Sequence, residues 1–145
     1  MNPFTYQVRV RYQETDGQGH VHHANYLTYF EQARVEMLRA IGESYREVER
    51  TGAILVVTEM DIRYRAPAYF DDELLIEIKL MKAKGARLEH QYRVFRGEGQ
   101  VAVEASRASG RPIVTGRSVV ACLDRNGKPR RLPDALKVTV EQTER

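Results

Sequence analysis

Residues 26–41, YLTYFEQARVEMLRAI, decide the fold. Tyr26, Tyr29, Phe30, Ala33, Met37, Ala40 and Ile41 recur at helical spacing, with Glu31, Gln32, Glu36 and Arg39 on the other faces. That is the period of an amphipathic helix with one apolar face to bury. Asn25 stands where an N-cap is expected and Gly42 where a C′ residue is. This is the one long helix predicted, and Glu43 to Arg50 adds a short polar helical turn.

Downstream of Gly52 the period changes to two. Met60, Ile62 and Tyr64 alternate with Glu59, Asp61 and Arg63, and Leu74, Ile76, Ile78 and Leu80 alternate with Leu75, Glu77, Lys79 and Met81. Half-buried strands have this pattern. Leu88 to Phe95, Val101 to Ala108 and Ile113 to Leu123 continue it. Lys84-Gly85, Gly97-Glu98-Gly99 and Ser109-Gly110-Arg111-Pro112 punctuate these runs as turns. Upstream, Phe4 to Tyr12 also alternates. Short connections imply antiparallel neighbours, and a single helix against a curved antiparallel sheet is the economical packing, an α+β architecture.

At 145 residues and 42% hydrophobic the chain has the size of one domain with its own core. Residues 1–133 are expected to form that domain and 134–145 a polar, partly frayed tail. Lys plus Arg number 23 against 20 Asp plus Glu, a net charge of only +3. The basic residues are interspersed, so nucleic-acid binding is not the first reading. The lone cysteine, Cys122, lies in an apolar run and reads as a buried hydrophobe in a reducing compartment. The first residues carry no apolar core of a leader, and no run approaches the ~18 apolar residues of a membrane span. A soluble, cytoplasmic protein without membrane insertion is expected.

Upstream of the helix lies RYQETDGQGHVHHAN, residues 11–25. One carboxylate, Asp16, sits beside Gly17 and Gly19, and three histidines follow it. Asp beside Gly is ordinary turn chemistry, so an Asx-turn is the structural reading of Asp16 and an active-site carboxylate the functional one. Glu14 and Thr15 read as positioning or turn-forming residues, and Asn25 as an N-cap first and a substrate contact second. His20, His22 and His23 are residue types that bind zinc. Their side chains are contiguous in an extended loop and tend to point apart, and no HExxH stands elsewhere, so no metal site is expected.

The order of elements and these residues together resemble the hot-dog fold, and within it the 4-hydroxybenzoyl-CoA thioesterase-like acyl-CoA thioesterases. The resemblance covers nearly the whole chain. It rests on Tyr12, Glu14-Thr15-Asp16, Gly19, Val21, His23 and Asn25-Tyr26 with the helix beginning Leu27-Thr28-Tyr29-Phe30-Glu31. A second block is Tyr64-Arg65-Ala66-Pro67-Ala68-Tyr69-Phe70-Asp71-Asp72-Glu73-Leu74, and a weaker third runs from Leu123 to Pro133. The resemblance implies one long central helix wrapped by a curved sheet of five to six strands. It implies hydrolysis of acyl-CoA thioesters without a cofactor, with Asp16 catalytic. It also implies a homo-oligomer, a dimer or a dimer of dimers (a homotetramer), with sheets side by side and sites at the subunit interface.

In that frame the backbone N–H of His23, near the helix N-terminus, would polarise the thioester carbonyl. Gly17 and Gly19 would let the turn approach the substrate. Asp16 could attack directly or activate water, and the sequence leaves both open. Gly19, Val21, Asn25 and Tyr26 are the expected substrate contacts, and Tyr29, Met60 and Tyr64 are further candidates for the acyl pocket. Lys84 and Arg87 are the expected contacts for the phosphates of coenzyme A, and Arg125, Lys128, Arg130 and Arg131 are other cations near the end of the sheet. Glu59 is the other candidate carboxylate, with a solvent-facing or helix-contacting role the simpler reading. The competing function is a hot-dog protein that binds an acyl or aromatic ligand without hydrolysing it. A hydratase is disfavoured because the Asp and His pair of a hydratase motif is not found.

Overall fold

The computed structural model describes residues 3–137. Its strands are β1 (Phe4–Arg9), β2 (Ile54–Tyr64), β3 (Glu73–Lys84), β4 (Arg87–Gly97) and β5 (Val114–Leu123). Its helices are α1 (Asn25–Ala40), α2 (Tyr45–Arg50) and α3 (Gln100–Ser109). The five strands form one antiparallel sheet in the order β1-β3-β4-β5-β2, which leaves β1 and β2 as its edges. β1 is shorter than the alternation suggested: it stops at Arg9, and Tyr12–Glu14 turns into a short 3₁₀ segment.

The predicted long helix forms and buries its apolar stripe on the sheet. Tyr26, Tyr29, Phe30, Ala33, Met37 and Leu38 meet Leu74, Ile76, Ile78, Leu80, Tyr92, Val94 and Val120 in one core cluster. Phe30 stacks on Tyr92 with ring centroids 4.1 Å apart. A Cβ at Gly116 would lie 2.7 Å from the Phe30 ring, so the glycine makes the room this ring occupies. The helix ends as predicted at Gly42, with φ +88°. The Gly42 N–H donates to Arg39 O and the Glu43 N–H to Leu38 O, at 3.0 and 3.2 Å, a Schellman closure. The predicted N-cap is not one. Asn25 is already helical, Ala24 occupies the cap position, and the Asn25 amide reaches instead to the Glu14 carbonyl.

One expected strand is a helix. Val101, Val103 and Ala105 alternate, but residues 100–109 are rich in helix formers, and Gln100 pairs with Glu104 one turn on. The resulting α3 lies on the face of the sheet opposite α1. There Val103 closes a second cluster with Leu75 and Phe95, and Arg107 joins Arg93 on the carboxylate of Glu77. Leu75 and Glu77, the solvent half of the predicted alternation, are therefore buried. The approach is close. A Cβ at Gly97 would sit 2.3 Å from the Val103 backbone nitrogen, and only glycine fits there. The predicted polar tail also begins differently: residues 134–137 are helical and Leu136 is part of the core. Residues 138–145 lie outside the described residues. Among the described residues no helix is long and apolar enough to cross a membrane.

A polar thread crosses the core under α1. Arg34 donates to the Tyr92 hydroxyl at 2.8 Å, which lies 2.6 Å from the hydroxyl of Ser118. His90 is buried beside them, and among the described residues its Nδ1 has no hydrogen-bond partner. Burial, with the Arg34 charge nearby, pushes its imidazole down to about 3. An unfolded imidazole takes up a proton below about 6.5, whereas the folded one stays neutral until about 3. Between those values the unfolded chain holds the extra proton, so falling pH favours unfolding, by at most about 1.4 kcal/mol per pH unit. Urea titrations of the wild type and His90→Leu across this window should show a shallower loss of stability in the variant, with the two slopes equal above about pH 7.

Candidate active site

The loop between β1 and α1 is anchored by Glu14, which is buried. Its carboxylate accepts the Arg11 N–H at 2.8 Å and the Tyr29 hydroxyl at 2.9 Å, and it pairs with the Arg11 guanidinium at 3.1 Å. Its main-chain carbonyl accepts the His22 N–H and the Asn25 side-chain amide, both at 2.8 Å. One residue thus joins the end of β1, the loop and the first turns of α1. Removal from water, then the bond to Glu14, raises the Tyr29 phenol well above its ordinary range, and it stays a donor.

Asp16 begins a tight turn inside this frame. Its Oδ1 accepts the N–H groups of Gln18 and His20 at 2.9 and 3.3 Å, which makes the predicted Asx-turn real. The Asp16 N–H donates to His20 O at 2.8 Å, and Thr15 and Val21 form an antiparallel bridge. Gly19 takes φ +84°, the left-handed backbone that glycine adopts without strain. Gly17 has no such conformation and no neighbour within 4 Å of a notional Cβ, so within the chain nothing demands glycine there. The segment after β2 closes the other wall. Val21 N–H donates to Ala68 O at 2.9 Å, His20 bridges to Tyr69, and the Tyr64 hydroxyl donates to His23 O at 3.0 Å. Asp72 fixes that wall, accepting the Tyr69 N–H and the Arg96 guanidinium, both at 2.8 Å.

Between these walls lies a cleft of about 380 Å³ lined by Asp16, Gln18, His20, Val21, His23, Tyr26, Tyr64, Arg65, Ala66 and Pro67. The structure therefore brings together Asp16, Val21, His23 and Tyr26 from the predicted site. Gly19 shapes the turn and Asn25 braces the loop, and neither lines the cleft. Tyr26 is buried with its ring edge-on to Tyr64, centroids 5.7 Å apart. Desolvation raises both phenols, most strongly Tyr26, so they are protonated donors rather than bases. Tyr29 turns away to Glu14, and Met60 packs against the core. Glu59 faces solvent, 3.7 Å from Arg117.

Lys84 and Arg87 are elsewhere. They pair across the β3–β4 turn, eleven residues along β3 from Glu73, a span of ~36 Å at a strand's ~3.3 Å per residue. The cation in the cleft wall is Arg65, which takes part in none of the ion pairs among the described residues. Its place directly after Tyr64 in the second sequence block was the available signal. The histidines also differ from expectation. His22 and His23 stack at 4.3 Å rather than pointing apart, and His20 turns to the Tyr69 ring. Among the described residues no group of three or more His, Cys, Asp or Glu is arranged to hold a metal ion.

One long helix against a five-stranded antiparallel sheet of this order is the architecture of the hot-dog thioesterases. The family model of the thioesterase-like superfamily matches residues 10–140, and the chain belongs to that family. Acyl-CoA thioester hydrolase YbgC of Escherichia coli O6:H1 is 33% identical over 140 residues, 96% of this chain and of that protein. Acyl-CoA thioesterase YbgC of Haemophilus influenzae is 38% identical over 96 residues, 66% of this chain and 71% of that one. The solved structure of a DHNA-CoA thioesterase from Staphylococcus aureus aligns with a TM-score of 0.84 at 25% identity, covering 99% of this chain and 92% of that one. The chain is a thioesterase by family and fold.

Tyr29→Phe removes one donor from the buried Glu14 carboxylate while keeping the ring. The expected cost is about 1–3 kcal/mol, the usual penalty for an under-satisfied buried group, read as a fall of several degrees in the thermal unfolding midpoint.

Proposed function

We propose that the protein hydrolyses acyl-CoA thioesters to the free acid and CoA, with Asp16 as the catalytic carboxylate and the backbone N–H of His23 polarising the carbonyl. The observation that carries this reading is that Asp16 and His23 line one cleft at the N-terminus of α1. Among the described residues the His23 N–H has no intrachain acceptor, and Asp16 Oδ2 has no intrachain donor. One oxygen of Asp16 thus fixes the side chain while the other is free to react.

Two routes use these atoms. In the first, Asp16 attacks the carbonyl carbon, the C–S bond breaks, CoA leaves as thiolate, and water then cleaves the mixed anhydride. In the second, Asp16 takes a proton from water as that water attacks the same carbon. In both, negative charge grows on the carbonyl oxygen, where an N–H at the positive end of a 16-residue helix is most useful. Thiolate is a good leaving group, so neither route needs a strong general acid. Tyr26 and Tyr64 supply aromatic walls for the acyl portion. The long edge strand β2, with Ile54 and Val57 exposed, supports association of two copies side by side, as the resemblance implies.

The Asx-turn gives a sharp test of the carboxylate. Asp16→Asn keeps an oxygen to accept the Gln18 and His20 N–H groups and removes the charge. Free-thiol release from short, long and aromatic acyl-CoAs should fall at least 100-fold in the variant, with the unfolding midpoint within about 2 °C of wild type. Equal activity in both proteins would assign the chemistry to another residue, and no activity on any thioester would favour the ligand-binding alternative.

Arg65 is the cation placed to meet an anionic group of the substrate, since Lys84 and Arg87 lie at the far end of β3. With Arg65→Met, KM for an acyl-CoA should rise at least fivefold. KM for the same acyl group on N-acetylcysteamine, which has no phosphate, should stay within twofold. An equal rise on both substrates would mean that Arg65 contacts the acyl half.

A further inference from the structure

The backbone at His23 is held from two sides. The peptide before it is fixed by its own carbonyl, His22 O, which accepts the Asn25 N–H at 2.9 Å. The peptide after it carries His23 O and the Ala24 N–H. Ala24 N–H donates to His22 Nδ1 at 3.2 Å, a partner on an exposed ring. His23 O accepts the Tyr64 hydroxyl at 3.0 Å, and among the described residues this is its one donor. The donor stands on a firm base. Tyr64 is the last residue of β2 and pairs with Val114 of β5. Its ring rests edge-on against Tyr26 at 5.7 Å and His23 at 6.3 Å. A residue of the edge strand therefore holds the carbonyl of the peptide that follows His23, and with the bond to His22 O both peptides flanking His23 are anchored.

We infer that Tyr64 is a positioning residue for thioester hydrolysis, holding the His23 backbone so that its N–H stays presented to the cleft. The inference rests on the role of the His23 N–H proposed above. Tyr64 acts through that peptide and not on the reacting atoms. An N–H that must meet charge appearing on an oxygen gains its effect from being fixed in advance, because a loop free to rotate spends part of the stabilisation on reorganising. Losing the tether should therefore slow the chemical step more than it weakens binding, since a ground-state thioester makes less use of that N–H than the transition state does.

Tyr64→Phe deletes one oxygen and leaves the ring against Tyr26. With an acyl-CoA the wild type accepts, kcat should fall roughly 5- to 20-fold while KM stays within twofold, an effect of the size seen for partial loss of a positioned donor. The backbone ¹⁵N order parameter of His23 should be lower in the variant than in the wild type, as measured by NMR relaxation. Unchanged kcat, a loss confined to KM, or a variant that does not fold would each overturn the inference. If the wild type released no thiol, the hydrolase reading would fall, and the order parameter would still decide whether Tyr64 fixes the His23 backbone.

Discussion

A buried carboxylate on a loop is the constraint on which this molecule turns. Glu14 is removed from water, and an unpaired charge there would cost several kcal/mol. Its partners come from three places: Arg11 just after β1, Tyr29 on α1, and, through its main chain, His22 and Asn25. Satisfying one charge therefore fixes where the strand ends, how the loop folds back and where the helix starts. Asp16 hangs from this frame in a turn of its own. The geometry of the cleft wall is a by-product of solving a solvation problem two residues earlier.

The same helix is registered on the sheet by shape rather than charge. Phe30 lies flat on Tyr92 over Gly116, and any other residue at position 116 would push the ring away. Arg34, one turn further on, reaches the Tyr92 hydroxyl. One aromatic side chain of β4 thus receives both a ring and a guanidinium from α1. Rotation or sliding of the helix would break both contacts, which is why its N-terminus, and the cleft there, has a defined place.

Much of this was legible in the sequence where local periodicity and burial coincide. The helix from Tyr26, its glycine stop and the long strands could be read because one face of each meets the main core. Where a second layer intervenes, periodicity misleads. Val101, Val103 and Ala105 alternate as a strand would, but the segment is a helix whose Val103 packs on Leu75 and Phe95. Leu75 and Glu77 looked solvent-facing for the same reason. At the site, the cluster of Asp16, Val21, His23 and Tyr26 was within reach because these residues are near in sequence. The Tyr64–Arg65 wall arrives from another strand, and Lys84 with Arg87, sound candidates by composition, were carried to the far end of β3. The structural reading of Asp16 is the one the fold displays: Oδ1 closes the Asx-turn, and among the described residues Oδ2 has no intrachain donor.

Helix α3 makes the two faces of the sheet unlike. Bare antiparallel sheets can stack face to face at ~10 Å with interleaved side chains, but a helix is itself about 10–12 Å thick. On the β3–β4 half of the outer face α3 fills that gap, with Val101 85% exposed on its far side. It works as a spacer: two copies brought together by these faces would meet helix-first, with their sheets held apart or tilted. A contact made through this face would therefore be shaped by α3 rather than by the bare sheet.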